Sequence, residues 1–100
     1  MSIFNEKIYE KLKKVPKGKV VTYAELARSV NSKAYRAVGN AMKDNKDLIN
    51  IKCFKVICSD GFIGNYSARG RMKKKIQLLR KEGIEVRNNK IDLKKYLFKF

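Results

Sequence analysis

Residues 22–43 read TYAELARSVNSKAYRAVGNAMK, two short helical patterns separated by a polar turn. Thr22-Tyr23-Ala24-Glu25 has the spacing of a capping box, in which the Thr22 hydroxyl accepts from the Glu25 amide while the Glu25 side chain reaches back. This predicts a helix from Tyr23 to about Val30. Asn31-Ser32 then turns the chain, and Ser32 is the expected N-cap of a following helix that runs to about Lys43. Two helices joined by a few polar residues, the second bearing Arg36, Asn40 and Lys43, fit a helix-turn-helix. The same residues also describe two core helices meeting in a small α+β domain, and the pattern alone leaves both readings open.

Upstream, Ile3, Phe4, Ile8, Leu12 and Val15 recur at helical spacing, which predicts an amphipathic first helix stopped by Pro16-Lys17-Gly18. Val20-Val21-Thr22 reads as extended. Downstream, residues 45–52 read as a loop, Phe54 to Cys58 as a short apolar strand, and Ser59-Asp60-Gly61 as a turn into Phe62-Ile63-Gly64. Lys73 to Lys81 reads as a helix with Ile76, Leu78 and Leu79 apolar, and Gly83 as its C′ cap. Ile84 to Leu93 reads as a hairpin around Asn88-Asn89, with Tyr96-Leu97-Phe98 packing back on the core. Neither repeats nor a linker interrupt the chain, so residues 1–100 are expected to form one α+β domain. It is winged-helix-like, with a helix-turn-helix over about 22–44, an active-site loop over about 45–67 and a short β-hairpin.

One hundred residues, 44% of them apolar, are enough for one small core. The charge balance is extreme: 25 Lys and Arg against 9 Asp and Glu give a formal net charge of +16. Such a field concentrates polyanions. Nucleic acid is the partner it favours, because the basic residues interleave with the helix-turn-helix pattern; a lysine-rich surface that binds nothing specific is the competing explanation. The cations are spread along the whole chain rather than on one amphipathic face, which argues against a membrane-surface role. No apolar run approaches the roughly 18 residues of a membrane span. A cytoplasmic protein is expected, nucleoid-associated in a prokaryote, and monomeric. Two cysteines and no histidine give neither a disulfide framework nor a closed zinc site, so no metal and no cofactor are expected. The absence of histidine also removes hydrolases that rely on a Cys–His or Ser–His pair.

A lone cysteine before a strand is usually a small buried hydrophobe. Cys53 has features of a nucleophile as well. It lies between Lys52 and Lys55, and cations favour the thiolate. It follows a polar loop, and Gly61, Gly64 and Gly70 nearby permit close approach of backbone to a ligand. Cys58 lacks flanking lysines and reads as structural.

The ordered set Thr22-Tyr23, Arg36-Ala37-Val38-Gly39, Asn45, Lys52-Cys53-Phe54-Lys55-Val56, Gly64-Asn65-Tyr66-Ser67 and Glu82-Gly83 closely resembles the active-site half of the O6-alkylguanine-DNA alkyltransferases. The resemblance runs from about Phe4 to Gly83, and the N-terminal domain of larger members has no counterpart here. It implies a DNA repair protein that extrudes O6-alkylguanine from double-stranded DNA and moves the alkyl group irreversibly onto its own cysteine, without cofactor. Extrusion is required because the target atom cannot be attacked inside the stacked duplex. Cys53 matches the acceptor, and Glu82 the glutamate at the far end of a Cys–water–His–Glu relay. Tyr23, Ala34, Tyr35, Arg36, Ala37 and Gly39 match the DNA-contacting positions. Among these, Arg36 takes the place of the extruded nucleotide and Tyr23 presses on the lesion's 3′ phosphate. Tyr23, Asn45, Cys53, Val56, Tyr66 and Ser67 match the pocket for the base, with Asn45 bracing its loop. Three departures stand out. Phe54 replaces the relay histidine, Lys52 replaces the proline before the cysteine, and Tyr35 is larger than the usual alanine. A non-catalytic member that binds alkylated DNA and signals to other repair pathways is the alternative the resemblance allows. A generic basic DNA-binding domain of the same fold is the third.

Overall fold

The computed structural model describes residues 3–47, 50–64 and 71–100. Helix α1 spans Ile3–Lys13, strand β1 Val21–Thr22, α2 Tyr23–Ser29 and α3 Tyr35–Asp44. A 3₁₀ turn over Cys53–Lys55 leads into β2 (Val56–Ile57), followed by α4 (Arg71–Lys81) and α5 (Leu93–Tyr96).

β1 and β2 pair in parallel, Val21 with Val56 and Thr22 with Ile57. Parallel neighbours need a long crossover, and the helix-turn-helix supplies it. The two-residue period of a strand sends successive side chains to opposite faces. Val21 and Val56 therefore join a cluster with Ile8, Leu12, Leu26, Val38 and Ala41 from the three N-terminal helices. Val20 and Ile57 join a second cluster with Ile63, Leu79, Ile84, Val86, Ile91 and Tyr96. The small sheet is the partition between two cores.

The Thr22 hydroxyl accepts from the Glu25 amide at 3.1 Å, the first half of the capping box. The other half is not made: Glu25 pairs with Arg28 one turn on. Ser32 is not the N-cap of α3. Its hydroxyl accepts from the Ala34 amide at 3.0 Å, and the helix begins at Tyr35 with no side-chain cap. Ile3 lies outside the buried face of α1, with 71% of its surface exposed. The predicted strand from Phe54 is halved, because the 3₁₀ turn takes its first residues.

Helix α4 ends as expected at Gly83 (φ +82°), where the Gly83 amide reaches Arg80 O and the Ile84 amide reaches Leu79 O, a Schellman closure. The hairpin shrinks to one bridged pair, Arg87 with Lys90, around Asn88 and Asn89 at φ +51° and +60°. Both central residues at positive φ are what a type I′ turn requires. The C-terminal segment docks on the edge of β1: Val20 N donates to Tyr96 O and Phe98 N to Val20 O, each at 2.8 Å. It also fastens the approach to Gly64, with Ile91 N donating to Gly61 O and Ile63 N to Asn89 O. Among the described residues no helix is long and apolar enough to cross a membrane.

Candidate functional site

Asn45 organises the turn that carries Cys53. It is buried, its amide donates to Ile51 O at 2.8 Å, and its carbonyl oxygen accepts from Asp47 N at 2.9 Å. Cys53 N then donates to Ile51 O at 2.9 Å, and Val56 N to Cys53 O. A buried polar side chain satisfied at both ends is a rigid brace. It presents Cys53 at the first residue of the 3₁₀ turn, half-buried against the N-terminal core. Phe54, one residue on, packs against the other core. A ring there is held by apolar contacts and offers no proton acceptor.

Lys55 and Glu82 form a buried ion pair. Lys55 Nζ lies 3.0 Å from Glu82 Oε1, with side chains only 1% and 8% exposed. The same ammonium donates to Pro16 O at 2.6 Å and Val15 O at 3.3 Å. Glu82 also accepts from Gly18 N at 3.1 Å and has Lys52 Nζ 3.6 Å from its other oxygen. Burial pushes the Glu82 carboxyl upward. The Lys55 hydrogen bond, the Gly18 amide and the charges of Lys55 and Lys52 outweigh it and hold it below the usual carboxylate value. Burial lowers Lys55, with Glu82 opposing. Lys52 and Lys55, which the sequence sets beside the thiol, therefore both turn to Glu82.

A third lysine, Lys75 from α4, is buried near Cys58. Its Nζ donates to Val56 O at 2.8 Å and to Ile63 O, and the side chain is 2% exposed. Burial lowers it to about 8, with Cys53 and then Cys58 pulling upward. Tyr23, at the start of α2, is pushed up by burial and then by Cys58 and Cys53. A Cβ built on Gly64 (φ +96°) would lie 3.7 Å from Lys75 Nζ, 3.8 Å from Tyr23 Oη and 3.9 Å from Cys58 Sγ. Burial likewise raises Cys58.

The structure thus brings Tyr23, Cys53, Val56, Gly64 and Lys75 into one neighbourhood, and Asn45 behind it. Arg36, Tyr35 and Ala34 are exposed along α3, whose buried side is Val38 and Ala41. Ala37 and Gly39 are half-buried, and a Cβ at Gly39 would meet nothing within 4 Å. Tyr66 and Ser67 lie outside the described residues. Among the described residues, no cluster of three His, Cys, Asp or Glu could hold a metal. The groove of about 390 Å³ between α1 and the end of α2, lined by Ile3, Glu10 and Val30, touches none of these residues. Lys75 was visible in the sequence only as one of three consecutive lysines. The signal that marks it is position, one turn before Leu79 on the apolar side of α4.

Residues 3–84 match the family described as 6-O-methylguanine DNA methyltransferase, DNA binding domain. The chain belongs to this family. It is 46% identical over 92 residues to a bifunctional methyltransferase/endonuclease of Picrophilus torridus, covering 91% of this chain and 30% of that protein. It is 49% identical over 86 residues to the methylated-DNA–protein-cysteine methyltransferase of Cricetulus griseus, covering 84% of this chain and 41% of the relative. The chain therefore spans less than half the length of either. Among solved structures it superposes on S. pombe Atl1 in complex with damaged DNA containing O6-carboxymethylguanine, with a TM-score of 0.91 and 31% identity, over 100% of this chain and 98% of that one. It superposes on the O6-methylguanine-DNA methyltransferase of Pyrococcus kodakaraensis with a TM-score of 0.72 and 42% identity, over 84% and 48%. The family match covers residues 3–84, and the small α+β fold is shared with both structures.

Proposed function

We propose that this chain is a single-turnover repair protein that binds duplex DNA carrying O6-alkylguanine through α3 and takes the alkyl group onto Cys53. The observation that carries the reading is Cys53 itself, partly exposed at the start of a turn braced by Asn45. The exposed face of α3 supports the DNA contact. It offers Arg36 for the gap left by an extruded base, and small residues at Ala34, Ala37 and Gly39 where backbones must approach closely. The net charge of +16 supports strong sequence-independent affinity for phosphates, which a lesion scanner needs. In this reading Tyr23, whose hydroxyl lies beside Gly64, and Val56 border the pocket for the base. Glu82, engaged by Lys55 and Lys52, acts in this reading by holding the turn rather than by passing a proton.

A second reading is favoured by the superposition on Atl1, which extends over the full chain and concerns a protein bound to damaged DNA. In it, the chain binds the lesion without transfer and marks it for other repair. Incubation with a duplex containing one O6-methylguanine, followed by intact and peptide-level mass spectrometry, decides between them. A methyl group on Cys53, absent in Cys53→Ala, establishes transfer. An unmodified protein that retains the lesion duplex over the normal one establishes the second reading. Equal retention of both duplexes rejects both.

A further inference from the structure

Residues 85–100 follow the stretch matched by the family, and their backbone is tied to both walls of the candidate site. On one side, Asn89 to Ile91 pairs antiparallel with Gly61 to Ile63. Ile63 N donates to Asn89 O and Ile91 N to Gly61 O, each at 2.9 Å, around the Phe62–Lys90 bridge. The close approach that Gly61 permits is therefore to the chain itself: at φ +91°, a Cβ there would lie 2.6 Å from Ile91 O. On the other side, Val20 N donates to Tyr96 O and Phe98 N to Val20 O, each at 2.8 Å, and Lys19 Nζ reaches Lys95 O at 3.0 Å. Val20 leads through β1 into Tyr23, and Ile63 leads into Gly64. Those two ends meet: Tyr23 Oη lies 3.8 Å from the Cβ position of Gly64. Between its two attachments the segment is anchored in the second core by the buried side chains of Ile91 and Tyr96.

We propose that the C-terminal segment from Asn89 to Phe98 is a positioning clasp that sets the spacing of Tyr23 and Gly64, and with it the discrimination of an alkylated base from a normal one. The proposal rests on the lesion-binding reading above, with or without transfer, and adds the element that holds the walls of its pocket. The sheet beside those walls has two residues per strand, and so short a pair has little rigidity of its own. The clasp extends it, with Leu97 bridged in parallel to Val20 on the edge of β1. The Asn88-Asn89 turn, with both residues at positive φ, delivers Asn89 O to Ile63. A pocket held in its bound shape loses no affinity to ordering when the base enters. Phosphate contacts do not sense this spacing, because charges on the surface make them. The clasp therefore acts on selectivity and leaves the general affinity for duplex alone.

Opening the Asn88-Asn89 turn in the whole chain tests the clasp. Asn88→Val with Asn89→Val disfavours positive φ at both positions, whereas Asn88→Gly with Asn89→Gly tolerates it. The first readout needs no DNA. The nuclear Overhauser contact between the Tyr23 ring and the Gly64 α protons is expected to be lost in the valine variant and kept in the glycine variant. A contact that persists while the Ile63 amide exchanges freely with solvent overturns the proposal. Where the valines unfold the chain or leave that amide protected, Gly61→Ala serves, since its Cβ cannot sit 2.6 Å from Ile91 O. The second readout is fluorescence anisotropy against a duplex with one O6-methylguanine and its unmodified counterpart, with Cys53→Ala throughout so that no transfer intervenes. Preference for the lesion is expected to fall roughly tenfold in the valine variant and to return in the glycine variant. Affinity for the unmodified duplex is expected to stay within about twofold. An unchanged preference overturns the proposal, and so does an equal loss on both duplexes. A parent protein that retains both duplexes equally rejects the lesion-binding reading, and the Tyr23–Gly64 contact then decides the spacing on its own.

Discussion

Two lysines are buried beside the Cys53 turn, and their surroundings differ in kind. Lys55 meets a carboxylate: Glu82 lies 3.0 Å away and is itself tied to Gly18 and Lys52. Lys75 donates to two backbone carbonyls and lies near the Cys58 thiol and the Tyr23 phenol. The first arrangement neutralises a charge and fastens the start of β2 to the end of α4. In the second, burial brings Lys75 down to about 8. A compensated lysine stiffens a scaffold. Lys75 instead ties β2 to the segment that ends at Gly64, through the Val56 and Ile63 carbonyls.

Breaking the compensated pair has the largest expected effect. Glu82→Gln keeps the shape and an acceptor oxygen but strands the Lys55 ammonium, and removing one partner of a buried pair costs about 3 kcal/mol. Urea unfolding at pH 7 measures it. Replacing both partners, Lys55→Met with Glu82→Leu, is expected to recover most of that loss, because two apolar side chains need no counter-charge. A loss below about 0.5 kcal/mol in Glu82→Gln would mean that the carbonyls of Val15 and Pro16 hold Lys55 unaided, and the contrast between the two lysines would collapse.

The helix-turn-helix half of the molecule was legible because its signals are local. Thr22 caps α2, Asn31-Ser32 breaks the chain, and Val38 and Ala41 fall on the buried side of α3. Asn45 and Cys53 were legible from the family's spaced motifs. The other half rests on long-range placement that no short window contains. The Phe54–Cys58 run looks like one strand, yet the 3₁₀ turn is what lets Cys53, Phe54 and Lys55 diverge toward the first core, the second core and Glu82. Lys52 and Lys55 looked like the thiol's cations because they flank it in sequence, and both point to a carboxylate from 27 residues or more along the chain. Lys75 is indistinguishable from Lys73 and Lys74 by composition. α5, four residues capped by the Asp92 carboxylate, is too short to carry a period.

Titration sharpens the same contrast. Lys75 is depressed from the ordinary lysine value to about 8, so above pH 8 the folded protein sheds a proton that the unfolded chain still binds. Stability therefore rises with pH from 8 toward 10.5, by about 1 kcal/mol between pH 8 and 9. Cys58, pushed up by burial, works in the opposite direction as the unfolded thiol ionises, and a Cys58→Ser background removes it. Denaturant unfolding at pH 7, 8 and 9 is expected to show the rise in that background and its loss when Lys75→Met is added. Glu82 has the other sign. Its folded value lies below the ordinary carboxylate, so its contribution is intact above about pH 4.5 and is lost as pH falls through the folded value. A flat profile from pH 7 to 9 would show that Lys75 is already compensated by a partner as Lys55 is.

The smallest effect separates stability from recognition on α3. Glycine inside a helix costs about 0.5–1 kcal/mol relative to alanine, and a methyl at Gly39 would meet nothing within 4 Å of the protein itself. Gly39→Ala is therefore expected to raise stability by that amount. A Cβ at this position has room within the fold, so the variant tests whether a partner surface comes close to the helix backbone. If that surface is duplex DNA, the stabilised variant binds a short duplex more weakly, and fluorescence anisotropy at fixed salt reads the loss. Arg36→Ala provides the calibration, since an exposed side chain there carries no core contact and its removal changes affinity alone. Gain of stability with unchanged affinity would take α3 out of the interface and leave the basic surface around it to bind unaided.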